Sequence, residues 1–415
     1  MPLPDQVAAK PDPLSQIQIF PFFGLPDVFE AKNKPASVKL QKALTDAITA
    51  VASAQHQILK DPRTGKENDV FPIPFTIAEI TSGTPPFPSA SYNGAEVDFI
   101  ASEAKVAAMY AAFELRDLVR RFRAAPGVTD KDVFDKLKKF ADPQIIADGP
   151  ELKKGEDING SSVAISDTHR KPQYDKVFYL DPIGLIDFTV DYSSALEDMI
   201  ILSDDQAAAT VIHGIGYSFL NGIIQAQGFS GDAFNPTQGI WLAADYIGQY
   251  PKVRGALSVN DGPAGIAGTT EKMAGLVAMI DAKKFASIDP GDVMRTDLLH
   301  QAALPLPHAL TPWICFGDVH NPAEDTDAIP QITVQLNKLG VAKLGRREEG
   351  PNVFSEVSVI DKVPLGTSLV SRRYVVAWQN LSEKSPYIKV NATRNGVISS
   401  AIPQIIRTTI KAFQA

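Results

Sequence analysis

Apolar residues return at helical spacing between Ser37 and Lys60, where Val38, Leu40, Leu44, Ile48, Val51 and Ile58 form one stripe and predict an amphipathic helix. Phe71 to Ile80 reads as a strand. A Gly/Pro/Ser loop follows at Ser82 to Ser91, and Ala95 to Ile100 can return as a second strand. Helical patterning then covers Ser102 to Phe122 and, after Pro126-Gly127, Asp130 to Phe140. Between Asp142 and Asp181 the chain turns polar, with Gly149-Pro150 and Asn159-Gly160-Ser161-Ser162, which predicts a loop-rich insertion. Helices resume over Ser193 to Ile201 and Gln206 to Gln227, interrupted by Ser203-Asp204-Asp205, and over Thr269 to Phe285, where a threonine cap precedes an acidic first turn. Val341 to Leu344, Val353 to Ile360 and Tyr374 to Trp378 read as strands, and Ile402 to Phe413 as a closing helix.

Elements from both chain ends therefore flank a helical middle, which predicts an α/β (α+β) architecture in which one mixed layer is built from the two ends. The expected division is an extended, Pro/Phe-rich arm over 1–36, an α/β domain from 37–101 and 335–415, and an inserted helical domain over 102–334 carrying the loop-rich insertion 142–181. A cleft between the two is the natural place for a ligand.

Composition narrows the function classes. The 415 residues are 44% hydrophobic and carry a net charge of −8 with no long basic run, so nucleic acid is not an expected partner. No apolar run approaches the roughly 18–20 residues of a membrane-spanning helix. Met1-Pro2-Leu3-Pro4-Asp5 lacks the basic and apolar regions of a secretory signal, so the expectation is export, periplasmic or secreted, with a signal removed, or otherwise a cytoplasmic location. The lone Cys315 excludes an internal disulfide and fits an apolar core position. The histidines show no i, i+4 pair and no H-E-x-x-H, no G-x-S-x-G elbow occurs, and no glycine pattern fits a phosphate loop. Neither a metal nor a cofactor is expected.

Ser102-Glu103-Ala104-Lys105 opens a predicted helix, so serine and lysine share a face one turn apart. A lysine in a partly desolvated cleft can give up its proton and accept one from a serine hydroxyl. Alone, the pattern equally fits a helix cap followed by a solvated lysine. Ser203-Asp204-Asp205 also fits an N-cap, and Lys343 in Val341-Ala342-Lys343-Leu344-Gly345 fits a charged edge-strand residue.

Taken in order, serine-x-x-lysine, serine-aspartate-x and lysine-x-glycine resemble the motifs of the class A serine β-lactamases and the penicillin-binding DD-peptidases and transpeptidases. Tyr92 to Lys105 resembles that family's second strand and nucleophile helix, Ser203 to Gly228 its serine-aspartate-asparagine loop and helix, Gly268 to Ala274 its threonine-capped helix, and Lys343 to Asn380 its last three strands. The resemblance implies a five-stranded antiparallel sheet flanked by the terminal helices, with a helical domain inserted. It implies Ser102 as the acylated nucleophile, Lys105 as its base, Ser203 as a proton relay and Lys343 as a source of positive potential. Gly345 and Arg346 would follow on the strand, with the backbone N–H groups of Ser102 and Arg346 as the oxyanion hole.

Three departures bear on substrate. Asp205 stands where the family has an amide donor, and a carboxylate only accepts. Leu344 removes the hydroxyl between lysine and glycine. The stretch from Gly228 to Gly268 lacks the glutamate-x-x-leucine-asparagine segment that activates the deacylating water, with Asp245 the candidate replacement and a structural carboxylate the competing explanation. The expected activity is a serine hydrolase acting on an amide, ester or lactam of a small-molecule or peptide-like substrate. The alternatives are a true class A-like β-lactamase and a non-catalytic binding protein on the same fold.

Overall fold

The computed structural model describes residues 13–20, 27–54, 59–60, 67–68, 73–150, 152, 154–181, 183–231, 235, 237–282, 332–344, 350–362, 372–382, 388–391, 396–399 and 401–415. Its principal elements run α1 (Pro35–Ala54), β1 (Phe75–Glu79), β2 (Ser89–Tyr92), α2 (Lys105–Arg123), α3 (Val133–Asp148), α4 (Val190–Ile201), α5 (Asp205–Ile215), α6 (Tyr217–Ala226), α7 (Thr270–Asp281), β3 (Ile332–Lys343), β4 (Asn352–Lys362), β5 (Arg372–Ser382) and α8 (Ala401–Gln414). The strands form one antiparallel sheet in the order β3-β4-β5-β1-β2. The five-stranded sheet expected from both chain ends is therefore present, with the terminal helices on one face.

Both faces of the sheet are buried, and the two-residue alternation of a strand assigns side chains between them. Along β5, Tyr374, Val376 and Trp378 join Phe75 and Ile77 of β1 against the apolar stripes of α1 (Leu40, Leu44, Ile48) and α8 (Ile402, Ile406, Ile410). Val375 and Ala377 point the other way, into a second core shared with α2, α6 and α7. On that side Thr76 Oγ1 meets Thr270 Oγ1 at 2.8 Å, tying β1 to the start of α7. α7 is capped as expected, with Thr269 Oγ1 accepting the Lys272 N–H at 3.2 Å.

α2 is enclosed on nearly every side, and Ala107, Ala108, Ala111 and Ala112, all fully buried, allow neighbouring helices to approach it closely. α5 and α6 replace the single helix expected over Gln206 to Gln227. They meet at 80° because Gly216 takes φ +74°, and a Cβ there would stand 2.6 Å from the Arg170 carbonyl oxygen. Among the described residues, no single helix is long and apolar enough to cross a membrane. α3 continues through Pro143 past the break expected near residue 142. The hydrogen bond lost there is outweighed by burial of Ala141 and Ile145 on its inner face. Short ladders punctuate the middle of the chain, including Lys154–Glu156 with Ser162–Ala164 inside the expected insertion.

The return strand differs from expectation. It is Ser89–Tyr92, inside the Gly/Pro/Ser loop, and not Ala95–Ile100. Asn93 at φ +51° turns the chain out of the sheet, and Gly94 is pinned where a Cβ would lie within 2.8 Å of Ser91, Thr76 and Glu271 side chains. Residues 95–100 then cross toward the helical side. Asp98 and Gly268 exchange backbone hydrogen bonds of 2.9 Å, and Phe99 N–H donates to Asn260 Oδ1 at 2.8 Å. This crossing delivers the chain to Ser102.

Trp378 fills the space between the sheet and the two terminal helices and is fully buried. Trp378→Ala is expected to lower unfolding free energy by about 3–5 kcal/mol, measured as a fall in the midpoint of a urea titration. A change under about 1 kcal/mol would show that the terminal helices are not anchored through this face.

Candidate active site

Ser102 lies in a 3₁₀ turn, Ala101–Ala104, that leads directly into α2. Ala101 adopts φ +48°, a left-handed conformation that costs a non-glycine residue about 1–3 kcal/mol. The surroundings hold it there. Tyr246 Oη donates to the Ala101 carbonyl at 3.0 Å, Ser355 Oγ donates to the Ile100 carbonyl at 2.9 Å, and the Glu103 N–H closes the turn onto Ile100 O at 3.1 Å. Ser102 is partly exposed and faces a cavity of about 250 Å³ lined also by Phe99, Ile158, Asp205, Tyr246, Val341 and Lys343.

Lys105, one turn on, is fully buried. Its Nζ donates to Asp205 Oδ1 at 2.5 Å and to the Ser203 carbonyl at 2.7 Å, lies 3.4 Å from Ser203 Oγ, and sits 4.6 Å from the centre of the Tyr246 ring. Ser203 is not the cap of α5. Asp204 takes that part, its Oδ1 accepting the Ala207 N–H at 2.7 Å. Ser203, at φ +57°, is left to turn its hydroxyl inward.

The lysine that meets Ser203 from the sheet is Lys338, and not Lys343. Lys338 Nζ donates to Ser203 Oγ at 2.8 Å and is only 2% exposed. The triplet Lys-Leu-Gly occurs twice, at 338–340 and 343–345, and the strand separates the copies. The first lies in the middle of β3, whereas Lys343 ends it, exposed at the cavity rim. An odd separation of five positions puts the two lysines on opposite faces of the strand. Gly340 fixes the choice. A Cβ there would come within 2.3 Å of Ile100 O, 2.4 Å of Ser355 Oγ and 2.9 Å of the Glu103 nitrogen, so only glycine lets β3 press against the Ser102 turn. Leu344 instead belongs to the β3–β4 connection, its N–H donating to the Pro351 carbonyl at 3.1 Å and its own carbonyl accepting from the Gly350 N–H at 2.8 Å. Gly345 and Arg346 lie outside the described residues, as does Cys315.

Asp245 lines the cavity, but its carboxylate is committed to its own loop. It accepts from His213 Nε2 at 2.9 Å, from Gly248 N–H at 2.8 Å and from Tyr250 N–H at 2.7 Å. Burial acts to raise its pKa, yet His213 and the two amides prevail and hold it below the usual carboxylate range. The residue that this loop presents to Lys105 is Tyr246. Lys338, Tyr246 and Glu103 were not singled out in the sequence. The second Lys-Leu-Gly copy, interior to an apolar strand, was the available signal for Lys338.

Charge in the site is tightly constrained. Burial lowers the pKa of Lys105, against the opposing pull of Asp205 and Asp204. Lys338 is driven well below its ordinary value, first by burial and then by the charge of Lys105, with Glu103 and Asp205 opposing. Glu103 is fully buried, and burial, reinforced by Glu356, pushes its carboxyl well above the usual range despite Ser355, Lys338 and Gln379. Among the described residues no group of three His, Cys, Asp or Glu side chains could hold a metal ion.

Glu103 supplies a pH-dependent test. A carboxyl whose folded-state pKa is raised contributes stability below its unfolded value of about 4.3, and that contribution is lost as pH rises through the folded pKa. Glu103→Gln is therefore expected to become progressively more favourable relative to the parent as pH rises above about 4, read from parallel denaturant titrations at several pH values. A difference between the two proteins that stays flat from acid to neutral pH would mean that Glu103 titrates as an ordinary surface carboxylate.

No protein-family model and no curated protein matches this chain. Solved structures do. It is similar to a class A β-lactamase from Mycobacterium abscessus, at 15% identity and a TM-score of 0.41, over 89% of this chain and 100% of that one. A class A β-lactamase from Bacteroides cellulosilyticus DSM 14838 gives 12% identity and a TM-score of 0.44, over 90% and 98% of the two chains. PBP-A gives 16% identity and a TM-score of 0.40, over 89% and 97%. These three solved structures are class A β-lactamases and PBP-A.

Proposed function

We propose that the chain is a serine hydrolase acylated at Ser102 by an amide, ester or lactam carbonyl. The observation that carries this reading is the Ser203 hydroxyl held between two buried lysines, with Lys338 Nζ at 2.8 Å and Lys105 Nζ at 3.4 Å, Lys105 in turn contacting Asp205 and Tyr246, which line the cavity that Ser102 faces. Burying two ammonium groups around one hydroxyl is unfavourable, and a site that served only packing would gain more from apolar side chains.

The chemistry that follows is acyl transfer. Burial lowers the proton affinity of both amines, and Ser203 Oγ lies between them, so a proton that passes from Lys105 through Ser203 to the Lys338 amine leaves Lys105 free to act as a base. Lys105 then accepts the Ser102 proton as Ser102 Oγ bonds to the substrate carbonyl carbon. When the bond to the leaving nitrogen or oxygen breaks, the leaving group takes its proton from Ser203, which is resupplied by the lysines. Water then bonds to the acyl carbon, the bond from that carbon to Ser102 Oγ breaks, and a proton given up by the water restores the Ser102 hydroxyl. The oxyanion would be met by the Ser102 N–H in the 3₁₀ turn that precedes α2 and by the backbone of Val341, which follows Gly340 on the edge strand β3. Val341 takes the part first assigned to Arg346 because the lysine-leucine-glycine triplet in the site is 338–340.

Substrate recognition departs from penicillin-like binding on the same grounds as before. Leu339, between lysine and glycine, has no hydroxyl, and Asp205 accepts but does not donate. The Lys105–Asp205 ion pair favours a second reading, a non-catalytic binding protein, since it stabilises the protonated lysine.

Intact-mass measurement after incubation with β-lactams, activated esters and a fluorophosphonate separates these readings. An adduct present in the parent and missing in Ser102→Ala is expected. A lactam adduct that persists indicates a peptidase-like enzyme, and lactam turnover without accumulation indicates a β-lactamase. No adduct with any probe would overturn the hydrolase reading in favour of binding.

A further inference from the structure

Tyr246 is the residue that nothing in the motif pattern assigns and that touches both halves of the acylation machinery. Its phenol donates to the carbonyl of Ala101, the strained residue immediately before Ser102, and its ring covers Lys105 Nζ at 4.6 Å. It is itself held in a left-handed conformation, φ +66°. A bulky residue keeps that geometry only when its surroundings impose it. Here they do. Asp245 is locked by His213, Gly248 and Tyr250, and His213 stacks on the Tyr250 ring at 3.5 Å between centroids and 14° between planes. The loop is thus a rigid bracket with Tyr246 as its working end.

Resting on the acylation reading above, we infer that Tyr246 is a positioning residue. Its hydroxyl fixes the Ala101–Ser102 turn in its strained form, and its ring seals Lys105 from water. The two contacts are separable, because phenylalanine keeps the ring and loses the hydroxyl, whereas alanine loses both. Burial pushes the phenol's own pKa well above its ordinary value, so the hydroxyl remains a donor across the working pH range. The charged groups around Lys105 are Asp205 and Asp204 from the α5 side and Lys338 from β3, while Glu103 and Asp205 act on Tyr246 itself. None of these is altered by substituting Tyr246.

The sign of the effect on Lys105 follows from the order of its causes. Burial is the largest influence and lowers its pKa. Removing the ring admits water, relieves that burial, and moves the lysine back toward its ordinary value. Loss of the cation–π contact acts in the opposite direction, but such contacts are smaller than the burial effect on a fully enclosed ammonium.

The test is the rate of Ser102 labelling by a small fluorophosphonate, followed by intact mass across pH. In that step a Ser102 Oγ–P bond forms, fluoride leaves, and the hydroxyl proton passes to Lys105. Tyr246→Phe is expected to slow labelling about tenfold, equivalent to one lost hydrogen bond, with the pH midpoint unchanged. Tyr246→Ala is expected to slow it further and to shift the midpoint to higher pH, which a purely structural defect would not do. Circular dichroism and urea midpoints check that both variants fold, and the phenylalanine variant carries the test if the alanine variant does not. If the parent labels at Ser102 and Tyr246→Phe labels equally fast, the positioning role is overturned while the hydrolase reading stands. If the parent does not label, both fall together.

Discussion

The site depends on one unfavourable arrangement, the burial of two lysine side chains on either side of a single serine hydroxyl. With both protonated, their repulsion at an effective dielectric of about 20 is of order 3 kcal/mol, before the larger cost of dehydration. The fold relieves this in two ways. Asp205, at the first turn of α5, takes a hydrogen bond from Lys105, and the enclosed surroundings lower the proton affinity of both amines. On the proposed reading the pair exchanges a proton through Ser203, the requirement for moving a proton from a nucleophile to a leaving group.

Three elements must meet for that pair to exist, and each meeting has a local cause. Gly340 lets β3 touch the Ser102 turn, since any larger residue would strike Ile100, Ser355 and Glu103. Asp204 caps α5 and so leaves the preceding hydroxyl free. Asp245 locks the loop that carries Tyr246 over Lys105. Of the five non-glycine residues with positive φ among the described residues, Ala101, Ser203 and Tyr246 stand where the side chains of the site converge, and the other two, Asn93 and Asn380, are asparagines, which tolerate that conformation.

Much of the fold was legible in the sequence because its signals were periodic. The stripe of α1, the short apolar run of β5 and the threonine cap of α7 follow from residue order alone. The second strand was not, since the turn at Asn93 and the close packing of Gly94 depend on contacts with Thr76 and Glu271 that lie elsewhere in the chain. Ser102, Lys105 and Ser203 could be named from the order of three motifs that together resemble a known family, though not from the spacing of any one of them. The choice between Lys338 and Lys343 could not, because both precede Leu-Gly, and only the seating of Gly340 against the Ser102 turn separates them. Asp245 was noticed for its charge, yet its partners make it an anchor, and the neighbouring aromatic residue carries the contact to Lys105.

If the Lys105–Lys338 pair activates Ser102, Lys338→Met and Lys343→Met must differ sharply in the reactivity of that serine. Fluorophosphonate labelling of Ser102 should fall about a hundredfold or more in Lys338→Met, the scale of a lost general acid–base partner, and stay within about twofold of the parent in Lys343→Met. Rapid labelling in Lys338→Met together with its loss in Lys343→Met would mean that Lys343, and not Lys338, serves Ser102.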